Sequence, residues 1–360
     1  MPAELLQWLD AHAESLDNDA THASEVIPRL AQAGLFGIAV PRDLGGRGGT
    51  LPEAIEAIAD VAGRSLSAAF AFWGHRAFIE YVLQTPNVAL RERWLPGLLA
   101  GTLAGATGLS NAMKYLCGIE QLNVRAQTLP GPAWKLQGSV PWCTNLRLEG
   151  SVAAVAVSRG DGGAPLVAAL PSDRAGVVRS ADLDLIALRG SNTAALAIEG
   201  ALIEPSDLLH EDANRFLPQV RPAFLGLQLG LSIGLARSSL QTARERAGGG
   251  REVVEPALIA QRSLLDRAID AVYEGLADGR FLTKPHELFR LRLALADVVA
   301  QALQLELQAS GGRAYHRDQP SYSFARRWRE AAFIPIVTPS ITQLQGELAR
   351  CALRDAAPAA

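Results

Sequence analysis

Cysteines are the first candidates for chemistry in this chain, because thiolates bind metals, form disulfides and act as nucleophiles. Cys117, Cys143 and Cys351 lie far apart, with no CxxC pair and no histidine nearby. Their odd number argues against a disulfide framework, and their spacing argues against a zinc site. We therefore expect small buried apolar residues at these positions, and we predict no metal site.

A glycine-rich segment, PRDLGGRGG at residues 41–49, is the second candidate. Glycine-rich loops bind phosphate when they carry the GxxxxGK spacing, or the GxGxxG spacing between a strand and a helix. This segment carries neither pattern. The sequence therefore predicts a simple turn here.

Hydrophobic periodicity shows which elements must position any functional side chains. Apolar residues recur at helical spacing over 5–16, 26–35, 51–62 and 68–82. Short β-rich runs follow at 134–136, 152–157, 166–170 and 194–198, separated by turns rich in glycine and proline. Helical periodicity returns over 218–246, 254–277, 285–310 and 340–354.

This order of elements predicts an α+β multidomain fold. We expect an N-terminal α-helical domain over 1–105, a central antiparallel β-domain over 106–210 and a C-terminal four-helix bundle over 211–360. Strands and helices do not alternate along the chain as they do in a dinucleotide-binding fold with a parallel sheet.

Composition limits the partners and the compartment. The 360 residues are 49% hydrophobic, which is enough for a sizeable core. The 34 basic and 37 acidic residues are spread along the chain and give a net charge of −3, so we expect no nucleic-acid partner. The N-terminal segment carries acids early and lacks the basic and apolar regions of a signal peptide, so we expect a cytoplasmic protein.

The most apolar stretch, residues 222–236, is too short to span a bilayer, which takes ~20 residues, so we expect no membrane partner. Gly226, Gly230 and Gly234 recur every fourth residue within it. Glycines on one face of a helix let a neighbouring helix come close. The sequence therefore predicts tight helix packing at this stripe.

Five segments carry a resemblance to a known family. They are RLAQAGLFGIAVPRDLGG at 29–46, RERWLPGLLAGTLAGATGLS at 91–110, WKLQGSVPWCTN at 134–145, IALRGSNTAALAIEGALIEPSDLLH at 186–210 and QASGGRAY at 308–315. In order and spacing, from about residue 22 to the C-terminus, the chain resembles the acyl-CoA dehydrogenase family. The resemblance implies that family's helical, β and four-helix-bundle domains, bound FAD, and a homodimer or homotetramer.

The segment at 134–145 is the most flavin-specific one, because it is similar to the family's W-x-L-N-G-x-K-x-W-I-T-N. There the second tryptophan lies beside the isoalloxazine ring and the threonine hydrogen-bonds near N5. The resemblance gives these positions to Trp142 and Thr144. An indole covers a large apolar ring, and one hydroxyl can donate or accept as N5 changes redox state. Without the resemblance, we would interpret Trp142 as a core tryptophan of a strand and Thr144 as a surface threonine.

Two further segments match the β-domain of the family. Ser110 stands where the family's T-E-P loop begins, near the pyrimidine end of the flavin, although the glutamate and proline of that loop are replaced here. In the segment at 186–210, Arg189, Ser191 and Thr193 take matched positions that we interpret as scaffold.

The end of the bundle carries the remaining cofactor candidates. QASGGRAY matches the family's Q-x-x-G-G-x-G-Y, in which the glutamine and glycines approach the FAD of a neighbouring subunit, so Gln308, Gly311 and Gly312 become candidates and imply an oligomer. A helix C-cap is the alternative interpretation. Arg246 or Arg251 takes the place of the family's diphosphate-binding arginine. The phenylalanine that accompanies this arginine is absent, so FMN stays open as the alternative cofactor.

The family's catalytic base is missing from the sequence. An acyl-CoA dehydrogenase removes the α-proton of its thioester with a carboxylate while a hydride leaves to flavin N5. Alignment with the motif R-D-A-x-x-x-x-I-Y-E-G-T puts Thr338 on the glutamate, and Val220 stands where some relatives carry it instead. Glu211 and Glu330 are the nearest acids in sequence and remain candidates, so the base is unknown.

Flavin monooxygenases share the family fold and need no such glutamate. Their sites often use histidine or serine, which makes His75 and His316 candidates, with His75 expected to face the flavin cavity. A lone histidine is more often a surface residue or a satisfied core residue.

Three functions therefore stay open. They are FAD-dependent desaturation of an acyl-CoA or related thioester, hydroxylation by reduced flavin and oxygen, and a degenerate homologue that only binds flavin or serves as a scaffold. The expected partners are a small-molecule substrate, such as an acyl-CoA, and either an electron-transfer flavoprotein or a flavin reductase.

Overall fold

Five helices precede the first strand. The computed structural model of the chain describes residues 1–316 and 324–356, with side chains described as far as residue 353. The first helices are α1 (Ala3–Asn18), α2 (Val26–Gln32), α3 (Leu51–Ala62), α4 (Leu66–Gln84) and α5 (Val88–Ala100). The glycine-rich segment before α3 is a turn, as predicted, with Gly45, Gly48 and Gly49 at positive φ.

Helices α3 and α4 begin at residues that cap them. Thr50 and Glu53 form a capping box at the start of α3. At the start of α4 the side chain of Ser65 accepts a hydrogen bond from the backbone N–H of Ala68. Helix α4 is buried on every side, and only its last two residues are partly exposed. It is therefore the central helix of the N-terminal part.

The middle of the chain forms one sheet. Its strands are β1 (Ala104–Thr107), β2 (Val124–Thr128), β3 (Trp134–Cys143), β4 (Ser151–Arg159), β5 (Leu166–Pro171), β6 (Val177–Asp182), β7 (Ala194–Ile203) and β8 (Leu208–His210). They lie in the order β6-β7-β3-β2-β4-β5-β8, with β1 paired to β4. The predicted antiparallel sheet is confirmed in the main, but β4 pairs in parallel with both β1 and β2.

A short helix, α6 (Ser110–Leu116), follows β1 where the family resemblance predicted a loop. The strands also enclose a hydrophobic core of their own, separate from the helical core, which includes Val140, Leu136, Leu196 and Ile198. The β-domain therefore packs as a unit, and its helical neighbours cover one side of it.

The C-terminal part is helical again. Its helices are α7 (Ala213–Arg246), α8 (Glu255–Ala277), α9 (Arg280–Thr283), α10 (Pro285–Ser310), α11 (Phe324–Ala331) and α12 (Ile341–Ala356). Helix α7 packs against α10 on one side and α3 on the other. The order of helical, sheet and helical parts confirms the predicted fold class.

The glycine stripe lies where α7 crosses α3. A Cβ atom added at Gly234 would lie 2.1 Å from the carbonyl oxygen of Ala59, and one added at Gly230 would lie 2.9 Å from that of Ile55. The predicted tight packing is thus confirmed. Within the described residues, α7 is also the one helix long and apolar enough to cross a membrane, and 89% of its most apolar window is buried inside the fold.

The cysteines follow the prediction only in part. None of the three forms a disulfide, and Cys143 is buried in the core of the sheet. Cys117 is half-buried, and the carbonyl oxygen of Met113 and the carboxylate of Glu347 both lie within hydrogen-bonding distance of its thiol, which has one proton to donate. Burial and the bond to Glu347 raise the pKa of the Cys117 thiol to about 12, so it is protonated at neutral pH.

Candidate active site

One large cavity, of about 880 Å³, lies between the β-domain and the helices. Its β-domain side is formed by the segments after β1, at the end of β3 and before β7, and its helical side by α4, α7 and the residues from α11 into α12. Cofactor and small-molecule sites have volumes of roughly 300–1,000 Å³. The cavity is therefore large enough for a cofactor ring together with a small substrate.

Four of the residues proposed from the sequence line this cavity. They are Ser110 at the first turn of α6, Trp142 near the end of β3, Thr144 just after that strand, and Thr338 on the opposite side. Trp142 keeps 54% of its surface exposed. A large ring left open beside a cavity is an apolar surface that a bound planar group would cover.

The backbone that carries Thr144 is fixed by two asparagines in the left-handed conformation, Asn145 (φ 64°) and Asn192 (φ 50°). The backbone N–H of Asn145 donates to the carbonyl oxygen of Ser191 at 3.0 Å. Their side-chain amides donate to the carbonyl oxygens of Gly105 and Ala23, at 2.8 Å and 3.1 Å. Asparagine tolerates this conformation better than most residues, so both turns keep polar side chains that tie the sheet to its neighbours.

Three hydroxyl groups meet beside the cavity. The Thr144 Oγ1 atom lies 2.7 Å from Thr193 Oγ1, which lies 2.8 Å from Ser191 Oγ. The methyl group of Thr144 faces α4, where a Cβ atom added at Gly74 would lie 2.6 Å from it. The hydroxyl is thereby kept on the side of Thr193. Thr193 was interpreted as scaffold from the sequence, but it lines the cavity.

Aromatic rings form much of the helical side. The rings of Phe70 and Trp73 stack with their centroids 5.4 Å apart, and the ring of Phe333 meets Phe70 edge-on at 4.7 Å. The ring centroid of Phe224 lies 5.1 Å from that of Trp73, and the backbone carbonyl oxygen of Phe224 accepts a hydrogen bond from the indole N–H of Trp73 at 3.1 Å. These four side chains therefore present apolar ring surfaces with no unpaired polar atom. We call them the aromatic wall.

The loop that carries Thr338 is held by two buried side chains, Gln228 and Arg292, which we call the buried pair. Gln228 Nε2 donates to the carbonyl oxygen of Thr338 at 3.0 Å, and Arg292 Nη2 donates to that of Ile334 at 2.5 Å. Arg292 Nε donates to Gln228 Oε1 at 3.2 Å, which links the two side chains. Burial lowers the pKa of Arg292 to about 10. The Nε and Nη2 atoms of Arg292 donate to an amide oxygen and a backbone oxygen, so this side chain positions the loop.

The two carboxylates of the lining both belong to the β-domain side. Glu120 accepts hydrogen bonds from Lys114 at 2.7 Å and Asn111 at 3.0 Å, and the bond from Lys114 lowers its pKa. Asp184 pairs with Arg189 at 2.7 Å and is largely exposed. Among the described residues of the helical side, the lining carries no carboxylate.

The structure places both candidate bases, Glu211 and Glu330, outside the cavity lining. Glu211 is exposed in the loop before α7. Glu330 is fully buried, where it accepts hydrogen bonds from the backbone N–H of Leu66 at 2.9 Å and from Arg326 at 3.0 Å. Burial raises the pKa of Glu330. Neither carboxylate contacts the cavity, which contradicts a role for either as the base.

The prediction that His75 faces the cavity is wrong. Its ring is fully buried, Nδ1 accepts the backbone N–H of Gly105 at 3.0 Å, and Nε2 donates to the carbonyl oxygen of Leu98 at 3.0 Å. Burial lowers the pKa of His75 to about 3, against the bond to Leu98, which raises it. His75 is a neutral structural residue that joins α4 to α5 and β1.

The cofactor candidates of the bundle lie outside the cavity lining, and two of the arginine and glycine positions, Arg251 and Gly311, are in contact. Gly311 has φ 60°, and a Cβ atom added there would lie 3.0 Å from Arg251 Nη1. Gln308 and Gly312 are exposed nearby, and Arg246 ends helix α7. His316, the other histidine candidate, is exposed and lies outside the cavity lining. We call Arg251 and Gly311 the distal cluster.

Sequence reasoning missed the aromatic wall and the buried pair. Phe70 and Trp73 lie in α4, which is buried on all faces, so no periodicity marks the side that meets the cavity. Gln228 and Arg292 come from two helices whose contact the sequence does not reveal. The one signal for the buried pair in the sequence was Arg292, an arginine within an apolar helical run.

Comparisons with known proteins agree on the family. The family "Acyl-CoA dehydrogenase, N-terminal domain" matches residues 6–102. The chain is 25% identical over 346 residues to the probable acyl-CoA dehydrogenase YngJ of Bacillus subtilis, covering 90% of this chain and 88% of that protein. It is 24% identical over 363 residues to the probable FMNH2-dependent monooxygenase SfnC of Pseudomonas putida, covering 92% and 88%. Butyryl-CoA dehydrogenase from Megasphaera elsdenii has the same fold, with a TM-score of 0.81, 18% identity, and coverage of 98% and 94%.

Proposed function

The chain belongs to the acyl-CoA dehydrogenase superfamily, and on that premise we propose that it is a flavin-dependent oxidoreductase whose flavin ring binds in the cavity. Trp142 would cover one face of the ring, while Thr144 and Ser110 would hydrogen-bond to its polar edges. The residues present fit this role, because a half-exposed indole and two hydroxyl-bearing side chains line the same side of one cavity.

For the reaction, we propose hydroxylation of a small neutral substrate. A reduced flavin supplies two electrons to dioxygen, so that one oxygen atom enters the substrate and the other leaves as water. The observation that carries this choice is that Thr338 lines the cavity. The motif alignment would put this neutral residue at the position of the carboxylate base that the dehydrogenase reaction needs. Glu120 and Asp184, the carboxylates of the described lining, lie on the β-domain side and are already paired.

The aromatic wall supports a flat apolar substrate. With the flavin on the β-domain side, the substrate would lie against Phe70, Trp73, Phe224 and Phe333. Aromatic rings bind other rings by stacked or edge-on contacts worth ~0.5–1.5 kcal/mol beyond burial. The wall offers no free donor or acceptor, so it favours neutral rings over polar or charged groups.

Desaturation of an acyl thioester is the second candidate. It is favoured by the similarity to YngJ, a probable acyl-CoA dehydrogenase, over 90% of this chain. In that case the electron partner would be an electron-transfer flavoprotein, whereas the monooxygenase needs a flavin reductase. The two reactions therefore differ in base, partner and substrate.

The distal cluster supports FAD and an oligomer. Arg246 ends helix α7 shortly before Arg251 and lies 22 residues beyond Phe224 of the cavity lining, which is about 33 Å at ~1.5 Å per residue. The distal cluster therefore lies far from the cavity along the bundle. We therefore propose that Arg251 and Gly311 bind the diphosphate half of an FAD held by a second copy. FMN has no such half, so FMN as cofactor would leave the cluster unused.

One experiment tests these proposals together. The purified protein is reconstituted with FAD and with FMN, and its absorption spectrum and mass in solution are recorded. We expect a yellow protein that prefers FAD and is a dimer or tetramer. Failure to bind either flavin would refute the proposed function and would favour a scaffold.

The flavinated protein then distinguishes the reactions. Supplied with a flavin reductase, NADH and oxygen, it should hydroxylate a neutral bicyclic compound such as indole, with the product detected by mass spectrometry. Under anaerobic conditions a saturated acyl-CoA should leave the flavin spectrum unchanged. Rapid bleaching by the acyl-CoA would contradict the monooxygenase and establish the second candidate.

A further inference from the structure

The last turn of α1 carries a buried carboxylate that the proposed function does not use. Asp17 has no exposed surface and is the next-to-last residue of this helix. Both features are unfavourable for a carboxylate, because burial removes its hydration and the C-terminal end of a helix carries partial negative charge. Burial accordingly raises the pKa of Asp17. Specific partners must therefore offset these costs.

The two oxygen atoms of Asp17 bind different parts of the chain. Oδ1 accepts a hydrogen bond from the backbone N–H of Leu188, in the segment before β7, at 3.1 Å. Oδ2 accepts hydrogen bonds from Nε and Nη2 of Arg329, on α11, at 2.9 Å and 2.7 Å. Leu188 lines the cavity on its β-domain side and Arg329 on its helical side, whereas Asp17 is not among the described residues of the lining. One carboxylate thus joins the two sides of the cavity.

The segment before β7 also rests directly on the end of α1. A Cβ atom added at Gly190 would lie 2.8 Å from the carbonyl oxygen of Leu16. Leu188 has φ 61°, a conformation that leucine rarely adopts. The hydrogen bond from the Leu188 N–H to Asp17 stabilises this conformation. It thereby also fixes the lining residues just before it, Ile186 and Ala187.

We propose that Asp17 is a positioning residue of the candidate site, which holds the 184–188 segment and α11 at a fixed separation. This inference rests on the proposed flavin site. Without the carboxylate, the segment and the helix would each gain freedom, and a ligand in the cavity would have to restrict that freedom when it binds. Such ordering lowers affinity. Helix α1 therefore contributes to ligand affinity without touching the ligand.

Asp17→Asn in the full chain tests this role. The asparagine oxygen can still accept from Leu188, but its NH2 group cannot accept from Arg329. We expect the dissociation constant for FAD, measured by fluorescence titration, to rise roughly twofold to tenfold, the effect of ordering one side chain on binding. Amide hydrogen exchange, measured by mass spectrometry without ligand, should become faster in both 184–192 and 324–338, because each segment opens more easily.

A second substitution should restore the link. Arg329→Gln places an amide where the guanidinium Nε now lies, 2.9 Å from Oδ2 of Asp17. When Asp17→Asn and Arg329→Gln are combined, the glutamine oxygen can accept a hydrogen bond from the asparagine NH2 group. We expect the double variant to bind FAD more tightly than Asp17→Asn alone and to exchange more slowly in both segments. A general loss of stability at α1 would give no such recovery.

Glu306→Gln is the matched control. Glu306 on α10 and Arg327 on α11 form another buried carboxylate–arginine pair, and neither side chain lines the cavity. This variant should lose stability and exchange faster in 324–338, while exchange in 184–192 and the affinity for FAD stay at wild-type values. If Asp17→Asn does not fold, Arg329→Lys gives the comparison at a partly exposed residue, because it keeps the charge but not the paired donors, and exchange in 184–192 should again rise.

The outcomes separate this inference from the proposed function. A wild-type protein that binds no flavin refutes the flavin site, whereas hydrogen exchange needs no ligand and still decides whether Asp17 joins the two sides. Wild-type affinity in Asp17→Asn, an equal loss of affinity in Glu306→Gln, or faster exchange on one side only overturns the role of Asp17 alone. Weaker binding with faster exchange on both sides, reversed in the double variant, supports it.

Discussion

The buried histidine of α4 predicts an acid-labile fold. His75 has its pKa lowered from an ordinary value of 6.5 to about 3, chiefly by burial. Below pH 6.5 the unfolded chain binds a proton at this residue, whereas the folded chain stays neutral there until about pH 3. Stability contributed by neutral His75 is therefore fully present above pH 6.5 and is lost as the pH falls toward 3.

The size of the effect follows from the shift. Each pKa unit corresponds to ~1.36 kcal/mol, so the full shift is worth about 5 kcal/mol. Between pH 6.5 and pH 4.5, His75 alone should lower the free energy of unfolding by about 2.3 kcal/mol, because the unfolded histidine is already half protonated at pH 6.5. Arg147 and Arg76 act in the same direction, because their positive charges disfavour a second cation nearby.

Urea denaturation at a series of pH values measures this contribution. The variant His75→Gln should be less stable at pH 7, because it loses ring packing, yet its stability should fall less steeply with acid. Other titrating groups are shared by both proteins, so the difference between the two curves isolates His75. Phe78→Leu, at another fully buried ring of α4, is the control, because it loses packing but no titrating group and its curve should run parallel to that of the wild type. Parallel curves for wild type and His75→Gln between pH 6.5 and 4.5 would refute this reasoning.

Three other predictions concern the cavity and the packing beneath it. Trp142→Ala should weaken flavin binding severalfold, up to about tenfold, by removing one stacked face; fluorescence titration measures this, and unaltered affinity would contradict the placement of the ring. Gly234→Ala should destabilise the fold by ~1–3 kcal/mol or more, because the new methyl group meets the carbonyl oxygen of Ala59 at 2.1 Å. Gly248→Ala, where a Cβ atom meets nothing within 4 Å, is its control in urea denaturation and should change little. Thr338→Glu should not increase hydroxylation; if it raises acyl-CoA desaturation by ~10²–10⁴-fold, the range for general-base catalysis, the second candidate function gains the base it lacks.

The sequence predicted the elements best where the periodicity was long and unbroken. Helix α3 has the predicted bounds, Leu51–Ala62. Strand β3 was predicted over only three residues but runs from Trp134 to Cys143. Gly138 and Pro141 ordinarily weaken a strand. Pro141 falls within the irregular pairing to β7 between Val140 and Cys143, whereas Gly138 pairs regularly with Ile198. Tertiary pairing therefore extended a strand that local propensity ended early.

The candidate site was predictable only where a motif supplied the positions. The motif at 134–145 led to Trp142 and Thr144, which share one cavity with Thr338 from nearly 200 residues later. The position of His75 on α4 was known, but the direction of its ring was not, because a helix buried on all sides gives no amphipathic pattern. Directions of side chains come from packing, which local sequence does not encode.

The supports of the cavity walls have a consequence for engineering the substrate range. Gln228 and Arg292 bind the carbonyl oxygens of Thr338 and Ile334 in the 334–338 loop, and Asn145 binds the carbonyl oxygen of Gly105 in β1 in the same way. Side chains that face the cavity, such as Phe333 and Ile336, can therefore be exchanged while the loop that carries them stays anchored by its main chain. A mutant library that randomises the lining and keeps these three anchors should retain a high fraction of folded members. A library that also randomises these three anchors should contain fewer folded members.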